Sequence, residues 1–129
     1  MIARIGKTFS FDAAHHLPNH EGKCAREHGH TYAVTFEAAG PIKEGLGMSD
    51  EGMVADFGIF NRVWTEALEP RLDHRNLNES IGEECWPTTA ENIALWIFNT
   101  AADLYQAHGV KLVAVEVRET PKTFARIEA

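Results

Sequence analysis

A cysteine and two histidines that could bind a metal stand close together near the start of the chain. Three residues separate Cys24 from a His28-Gly29-His30 triplet. In a β-strand, side chains two residues apart point to the same side, so the two imidazoles can be directed at one point. His15, nearer the N-terminus, is the third candidate. Three nitrogen ligands without a fourth protein ligand are typical of a catalytic zinc site, so we predict a zinc ion bound by His15, His28 and His30.

The spacing leaves the role of Cys24 open. A loop cysteine four residues before His28 can be a fourth ligand, which would give a closed structural site. It can also stand beside the metal, where the cation favours the thiolate and allows it to act as a base. His16 and His20 are competing ligands, but His16 points to the opposite face of its strand and His20 lies in a loop.

Two further groups suggest chemistry rather than structure alone. Asp73 and His74 are adjacent, so the carboxylate can orient and charge the imidazole as a proton shuttle. The same pair can also form a simple turn. Glu119 is predicted to point inward, where an unpaired carboxylate is costly. A polar heterocycle that offers an N–H and an amino group would pair with it in bidentate fashion, and Lys122 is the alternative partner.

Two predicted strands position the three histidines. Apolar and polar residues alternate from about residue 2 to residue 15 and again from residue 28 to residue 39. His15 has the inward parity in the first segment, and His28 and His30 have it in the second. The candidate ligands therefore end the inner faces of two strands that could be hydrogen-bonded neighbours.

Two amphipathic helices follow a turn-rich segment, residues 40–52. The first helix is predicted to begin at an N-cap, Asp56, and to end at Pro70. The second is predicted to begin with a capping box in which Thr88 is the cap and Glu91 is the third helical residue. The capping box explains Glu91 fully, so we assign it no catalytic role.

Two more strands complete the predicted fold. Val113, Val115, Val117 and Glu119 share one face of the third strand, and a short fourth strand covers residues 123–127. The order of elements is ββααββ. We therefore predict an α+β fold, in which an antiparallel four-stranded sheet carries two helices on one face.

Length and composition narrow the class of protein. The 129 residues are expected to form a single domain, residues 1–129, and the net charge of −7 argues against a nucleic-acid-binding surface. No apolar run approaches the roughly 20 residues needed to span a bilayer. Because the sequence also lacks a secretory signal, we expect a cytoplasmic protein whose Cys24 and Cys85 are reduced.

Six sequence blocks, in order along nearly the whole chain, resemble the 6-pyruvoyl-tetrahydropterin synthase family. The blocks are residues 11–15 (FDAAH), 22–30 (GKCAREHGH), 53–57 (MVADF), 72–78 (LDHRNLN), 87–92 (PTTAEN) and 118–120 (RET). The three-residue spacer before the paired histidines is similar to that of the bacterial 6-carboxytetrahydropterin synthases of queuosine biosynthesis. The pyruvoyl-forming branch usually has a longer spacer.

The resemblance implies a fold, an assembly and a reaction. It implies the tunnelling fold (T-fold), whose subunits join their sheets into a barrel and stack as a homohexamer, a dimer of trimers with sites between subunits. The implied reaction converts 7,8-dihydroneopterin triphosphate to 6-carboxytetrahydropterin with release of acetaldehyde and triphosphate. The alternatives are the pyruvoyl-forming reaction and a non-catalytic zinc- or pterin-binding module.

The resemblance also carries functional residues onto this chain. They fall into zinc ligands, proton-transfer groups and groups near the pterin ring, with Glu119 as the anchoring carboxylate. These residues are His15, His28 and His30 for zinc, Cys24, Asp73 and His74 for proton transfer, and Glu119, Thr88 and Thr89 for the pterin. We see no departure from the family pattern at the metal or catalytic positions.

Overall fold

The computed structural model describes residues 1–45 and 47–129, so Leu46, within the turn-rich segment 40–52, lies outside the described residues. Its strands are β1 (Ala3–His15), β2 (His28–Gly40), β3 (Arg75–Asn76), β4 (Lys111–Thr120) and β5 (Thr123–Glu128). They form a five-stranded sheet in the order β3-β1-β2-β4-β5. The α+β fold with a mainly antiparallel sheet is confirmed.

β1 and β2 are antiparallel neighbours, as their patterns predicted. Their register pairs every residue from Ala3 opposite Gly40 to His15 opposite His28 without interruption. Phe11, Ala13 and His15 are buried on one face of β1, while the residues between them are more exposed. The apolar residues recur every second position, as the side chains on one face of a strand do. The ends of the inner faces of both strands therefore lie side by side.

The sheet has one strand more than the predicted four. β3 contains only two residues and pairs in parallel with β1 at Ala13 and Ala14. A two-residue strand is too short to show an alternating pattern, so the sequence could not indicate it. The prediction of a purely antiparallel four-stranded sheet was therefore wrong at this edge.

β4 contains an irregularity that changes which of its residues face the core. Its pairing with β2 skips Val113, because Glu37 lies opposite Ala114 and Ala38 lies opposite Leu112. An extra residue of this kind is a β-bulge, and it reverses the alternation on its N-terminal side. Leu112, and not the predicted Val113, is consequently buried beside Val115 and Val117.

The first helical region continues past the proline that was predicted to end it. The segment α1 (Gly58–Val63) leads through a π-helical turn (Trp64–Leu68) into α2 (Glu69–Leu72). The N–H of Glu69 donates to the carbonyl of Trp64, five residues earlier. Pro70 then stands in the first turn of α2, where a missing N–H costs no hydrogen bond. Asp56 does act at the start, since its carboxylate accepts the N–H of Gly58 at 2.7 Å.

The remaining helices are α3 (Leu77–Ser80) and α4 (Ala90–Ala107). Thr89, rather than the predicted Thr88, is the N-cap of α4, and its hydroxyl accepts the N–H of Asn92 at 3.2 Å. Thr88 is fully buried and uses its hydroxyl elsewhere, so the cap falls one residue later than predicted. Glu91 is therefore the second helical residue.

The helices cover the apolar face of the sheet, and α4 packs on β4 and β5. Near the histidines this core is aromatic, since the Phe11 and Tyr32 rings stack with centroids 4.8 Å apart. The ring centroid of Tyr32 also lies 5.4 Å from that of His30. The histidines at the ends of β1 and β2 therefore pack against a buried aromatic core. Across residues 1–45 and 47–129, no helix has the length and apolar character of a membrane span.

Candidate functional site

The three predicted ligands meet at the end of β1 and β2. One potential ligand atom from each of His15, His28 and His30 lies within 4.8 Å of the other two. The ring centroids are 4.6 Å apart for His15 and His28 and 4.9 Å apart for His28 and His30. The arrangement follows from the register, because His15 lies opposite His28 and His30 follows two residues later on the same face.

Hydrogen bonds leave the Nε2 atoms of two histidines free to bind a cation. Nδ1 of His15 lies 2.7 Å from the carbonyl oxygen of Thr88, and Nδ1 of His28 lies 2.7 Å from that of Arg26. A carbonyl oxygen only accepts, so in both neutral rings Nδ1 carries the proton and Nε2 carries the lone pair. The Nε2 atom of His15 is buried and has no hydrogen-bond partner. Such an acceptor in a dry site fits a metal ion.

Glu119 joins the cluster from the end of β4. Its Oε2 atom lies 3.2 Å from Nε2 of His15 and 3.4 Å from Nε2 of His30. A carboxylate oxygen and an imidazole lone pair are both acceptors, so their approach is favourable only with a proton or a cation between or beside them. Lys122, the alternative partner of Glu119, is exposed, and Glu119 contacts the two histidines.

The electrostatics of the cluster favour a neutral His30 imidazole beside an ionised Glu119 carboxylate. Burial lowers the pKa of His30, with smaller contributions from His15 and His28, although Glu119 opposes the shift. The close approach of His15 is the main cause that holds the pKa of Glu119 below its ordinary value, against the effect of burial. A neutral imidazole is the metal-binding form of histidine, and an ionised carboxylate beside it attracts a cation, so the cluster suits a divalent cation.

Cys24 lies near this cluster in sequence but is not part of it. The residue is partly buried in a 3-10 turn (Lys23–Ala25), and its carbonyl accepts the N–H of Leu17 at 2.8 Å. In the part of the chain that the structure describes, the histidine group does not include the Cys24 thiol, His16 or His20. His20 instead accepts the N–H of Gly22 at 2.9 Å through its Nδ1 atom.

Asp73 and His74 form a second group beside Asp12 of β1, directly before β3 joins the sheet. Asp73 accepts the N–H of Asp12 at 3.0 Å, and the N–H of His74 donates to the Asp12 carbonyl at 2.6 Å. The two side chains meet, with Nδ1 of His74 2.9 Å from Oδ2 of Asp73. His74 adopts a φ of 57°, a left-handed conformation that is uncommon outside glycine. Backbone in such regions is often found at functional sites.

This pair is separate from the imidazole cluster within one chain. Among the described residues, no hydrogen bond or ion pair joins Asp73 or His74 to Cys24 or to the three histidines. The Asp12 N–H is the main cause that lowers the pKa of Asp73, and the Asp73 carboxylate raises the pKa of His74. His74 is therefore an exposed, readily protonated imidazole on the outer side of the sheet edge.

Comparison with known proteins identifies the family. A model of the family described as 6-pyruvoyl tetrahydropterin synthase matches residues 4–129. The chain belongs to this family of enzymes.

Named relatives and a solved structure agree with the assignment. The 6-carboxy-5,6,7,8-tetrahydropterin synthase of Synechocystis sp. is 43% identical over 122 residues, which cover 95% of this chain and 90% of the relative. The enzyme of that name from Haemophilus influenzae is 31% identical, with 97% and 98% covered. The structure of Caenorhabditis elegans 6-pyruvoyl tetrahydropterin synthase matches with a TM-score of 0.84 and 25% identity, over 100% of this chain and 96% of that one.

In this member of the 6-pyruvoyl tetrahydropterin synthase family, Thr88 and Thr89 have structural contacts of their own. The carbonyl of Thr88 faces Nδ1 of His15, and Thr89 caps α4. Both residues lie at the segment that borders the histidine cluster, on the opposite side of His15 from Glu119. Thr88 thus orients a candidate ligand, a contact that the sequence did not indicate.

Sequence reasoning also missed Asn78. Its side chain bonds to the backbone of His16 and to the hydroxyl of Thr88. The residue belongs to the block 72–78, one of the six that resemble the 6-pyruvoyl tetrahydropterin synthase family, but nothing in that block indicates its contacts. Because His16 and Thr88 are 62 and 10 residues away from it, only the tertiary fold reveals them.

Proposed function

We propose that this chain is a zinc-dependent 6-carboxytetrahydropterin synthase. It converts 7,8-dihydroneopterin triphosphate and water to 6-carboxytetrahydropterin, acetaldehyde and triphosphate. The observation that carries the proposal is the convergence of the His15, His28 and His30 imidazoles, with the Nε2 lone pair of His15 buried and without a hydrogen-bond partner. The relatives that carry this enzyme's name support the choice of reaction.

Zinc is the cation that best suits these donors. Three imidazole nitrogens with one position left for substrate are typical of catalytic zinc, whereas magnesium and calcium prefer oxygen ligands. His15, His28 and His30 would hold the ion, and the thiol of Cys24 stands outside that group. When bound, zinc supplies a Lewis acid that acidifies the C–H and O–H bonds of the substrate's hydroxylated side chain.

The residues of the chain divide the remaining work among them. Glu119 accepts hydrogen bonds from the ring N–H and amino group of the pterin and so orients the side chain towards the imidazoles. The backbone of Thr88 and Thr89 lies near the ring. Cys24, as thiolate, removes a proton from the substrate side chain, and His74 returns one while Asp73 holds its imidazole. Elimination of triphosphate, addition of one water and a retro-aldol-like cleavage then complete the reaction, and the water supplies the second oxygen of the product carboxylate.

We further propose that each active site is built from two copies of the chain. The outward position of Asp73 and His74, held by Asp12 on the edge of β1, supports a proton donor that serves a neighbouring chain. The outer edge of β5, and that of β1 before the two residues that β3 covers, favour strand pairing between copies, because an unpaired edge exposes backbone hydrogen-bonding groups. The assembly proposed is a homohexamer, a dimer of trimers, acting in queuosine biosynthesis in the cytoplasm.

A single assay tests the reaction. The purified protein is incubated with 7,8-dihydroneopterin triphosphate, the pterin product is identified by mass, and acetaldehyde is trapped and measured. A 6-carboxytetrahydropterin product with stoichiometric acetaldehyde is the expected result. A substrate that remains intact in the presence of zinc would contradict the proposal and favour a non-catalytic zinc- or pterin-binding module.

The second candidate is 6-pyruvoyl tetrahydropterin synthase activity on the same scaffold. The close structural match to the Caenorhabditis elegans enzyme of that name favours it. Both reactions begin with the same substrate and both eliminate triphosphate, so phosphate release cannot distinguish them. The product mass and the absence of acetaldehyde would identify the pyruvoyl-forming reaction.

A further inference from the structure

We infer that Asn78 is a positioning residue for the metal site, because its side-chain amide fixes the residues that orient the imidazole of His15. The inference rests on the proposed function, since the orientation of His15 matters only if that ring binds a cation. Asn78 lies in the short helix α3 and contacts neither substrate nor metal in this role. Its effect reaches the site through His16 and Thr88.

The side chain of Asn78 clamps the end of β1 at two points. Oδ1 of Asn78 accepts the N–H of His16 at 3.0 Å, and Nδ2 donates to the His16 carbonyl at 2.9 Å. These are the two bonds that a neighbouring strand would supply. Since His16 directly follows His15, the clamp holds the backbone of the ligand at the point where the strand pairing ends.

Asn78 also contacts the buried hydroxyl of Thr88. Its Oγ1 atom donates to Oδ1 of Asn78 at 3.1 Å, and the same oxygen lies 3.4 Å from Nδ1 of His15. A hydroxyl has one proton, so once it is given to Asn78 the oxygen can only accept from the imidazole. Together with the Thr88 carbonyl, 2.7 Å away, it therefore requires the proton of His15 to reside on Nδ1.

The orientation of the Asn78 amide is itself determined by its partners. The His16 N–H needs an oxygen and the His16 carbonyl needs an N–H, so a flipped amide would place like groups together at both contacts. The contacts from Asn78 through Thr88 to His15 thus reinforce the tautomer that the Thr88 carbonyl selects. That tautomer is the one that presents the Nε2 lone pair to a metal. Loss of the amide would release the Thr88 proton to compete with the Nδ1 proton of His15, and the Thr88 carbonyl would then be the single acceptor that holds the binding tautomer.

The direct test is the metal affinity of Asn78→Ala. Metal-free full-length protein is titrated with Co²⁺ against a competing chelator, and the visible absorption bands of the bound cobalt report the ligand geometry. Removal of groups that orient metal-bound histidines typically costs about 10–100-fold in affinity, and we expect a loss in that range. The tautomer of His15 is read separately from the ¹⁵N shifts of its ring in the metal-free protein, where Asn78→Ala should no longer be purely Nδ1-protonated.

Asn92→Ala is the matched control. The Asn92 amide also donates to a backbone carbonyl, that of Pro87 at 3.0 Å, and its loss loosens the same start of α4 without touching Asn78 or His15. It should lower thermal stability but leave the cobalt affinity and spectrum of the wild type. Equal losses of affinity in Asn78→Ala and Asn92→Ala would overturn the inference, because they would reflect general loosening.

A second pair of variants covers the case in which Asn78→Ala does not fold. Thr88→Val keeps the shape and the carbonyl but removes the hydroxyl, so it should weaken cobalt binding, whereas Thr88→Ser should restore it. Wild-type affinity and an unchanged His15 tautomer in Thr88→Val would contradict the inference while leaving the proposed function intact. A wild-type protein that binds neither cobalt nor zinc would instead contradict the metal site on which both depend.

Discussion

The imidazole cluster and the Asp73–His74 pair are built in opposite ways. The cluster lies on the inner face of β1 and β2, and the side chain of His15 is only 1% exposed. The pair lies on the outer edge of β1, and the side chain of His74 is 77% exposed. Strand pairing brings the histidines together, whereas backbone bonds to Asp12 and a left-handed φ place His74.

The comparison suggests that one chain holds a complete set of metal ligands, whereas its Asp73–His74 pair serves a site on a neighbouring chain. The donors of the metal site converge within a single chain, and each orienting hydrogen bond comes from that chain. His74, the proposed proton donor, is held by Asp12 and Asp73 and has no contact with the imidazole cluster among the described residues. A strained backbone at an exposed residue suggests a function at that point, and we propose that this function requires a neighbouring chain.

The largest effect is expected for His28→Ala, which removes one of the three proposed zinc ligands from the imidazole cluster. Losing one of three nitrogen donors should lower the metal affinity by more than about 100-fold, the upper range for residues that only orient metal-bound histidines. Zinc content by mass spectrometry should fall sharply, and turnover should fall with it. His20→Ala is the control, because this exposed histidine lies in the nearby loop outside the cluster. Full zinc occupancy in His28→Ala would show that the ring does not bind the metal.

The next effect concerns the two-chain site. Cys24→Ala and His74→Ala should each keep zinc and lose about 10²–10⁴-fold in turnover, the usual contribution of a proton-transfer group. When the two variants are unfolded together and refolded as mixed assemblies, about one quarter of sites should regain both groups if each site combines two chains at random.

The mixed assemblies distinguish a site shared by two chains from a site within one chain. A site within one chain would recover no turnover, because every chain would still lack one group. Mixing of Cys24→Ala with itself, treated identically, is the control for refolding. A zinc content that falls in Cys24→Ala alone would identify the thiol as a ligand and would close the position proposed for substrate.

The inner region was largely predictable, because local patterns determine it. Alternation in β1 and β2 gives the inward parity of His15, His28 and His30, and the register then follows from the burial of one face. The inward direction of Glu119 was correct as well. Its contact with two of the histidines was not predicted, since the pairing of β4 with β2 determines its position.

The outer region could not be predicted to the same extent. β3 is too short to show a period, and the positive φ of His74 has no glycine to indicate it. The π-helical turn that lets the helix pass Pro70 also carries no simple pattern. Asn78 depends on contacts across long sequence separations. These features arise from tertiary packing, which overrides local propensity.

Glu119→Gln should have a smaller effect and should separate substrate binding from metal binding. The amide keeps the size of the side chain but loses the charge that strengthens two hydrogen bonds to the pterin. Charged hydrogen bonds contribute about 1.5–3 kcal/mol, so affinity for a pterin analogue should fall about 10–100-fold. Zinc content should remain that of the wild type, because the three imidazoles supply the donors. Calorimetry with the zinc-loaded protein measures the first quantity, and an unchanged affinity would contradict the anchoring role.

The smallest expected effect is a shift in pH dependence in Asp73→Asn. The Asp73 carboxylate is the main cause that raises the pKa of His74, and Asp12 adds a minor contribution. Protonated His74 is the proposed donor, so turnover is lost as pH rises through its pKa. Removal of the Asp73 charge lowers that pKa and should move the alkaline limb of the kcat profile to lower pH.

The NMR titration of His74 supplies the direct measurement for this last prediction. Its pKa should fall towards the ordinary value of about 6.5 in Asp73→Asn and should fall less in Asp12→Asn, the matched control. A raised pKa in the folded state stabilises the fold below the unfolded value and loses that contribution as pH rises through the folded one. Because His74 is exposed, the melting temperature should change little with pH while the rate profile moves. An alkaline limb that stays in place while the His74 titration shifts would show that His74 is not the proton donor, and would leave its strained backbone without a catalytic explanation.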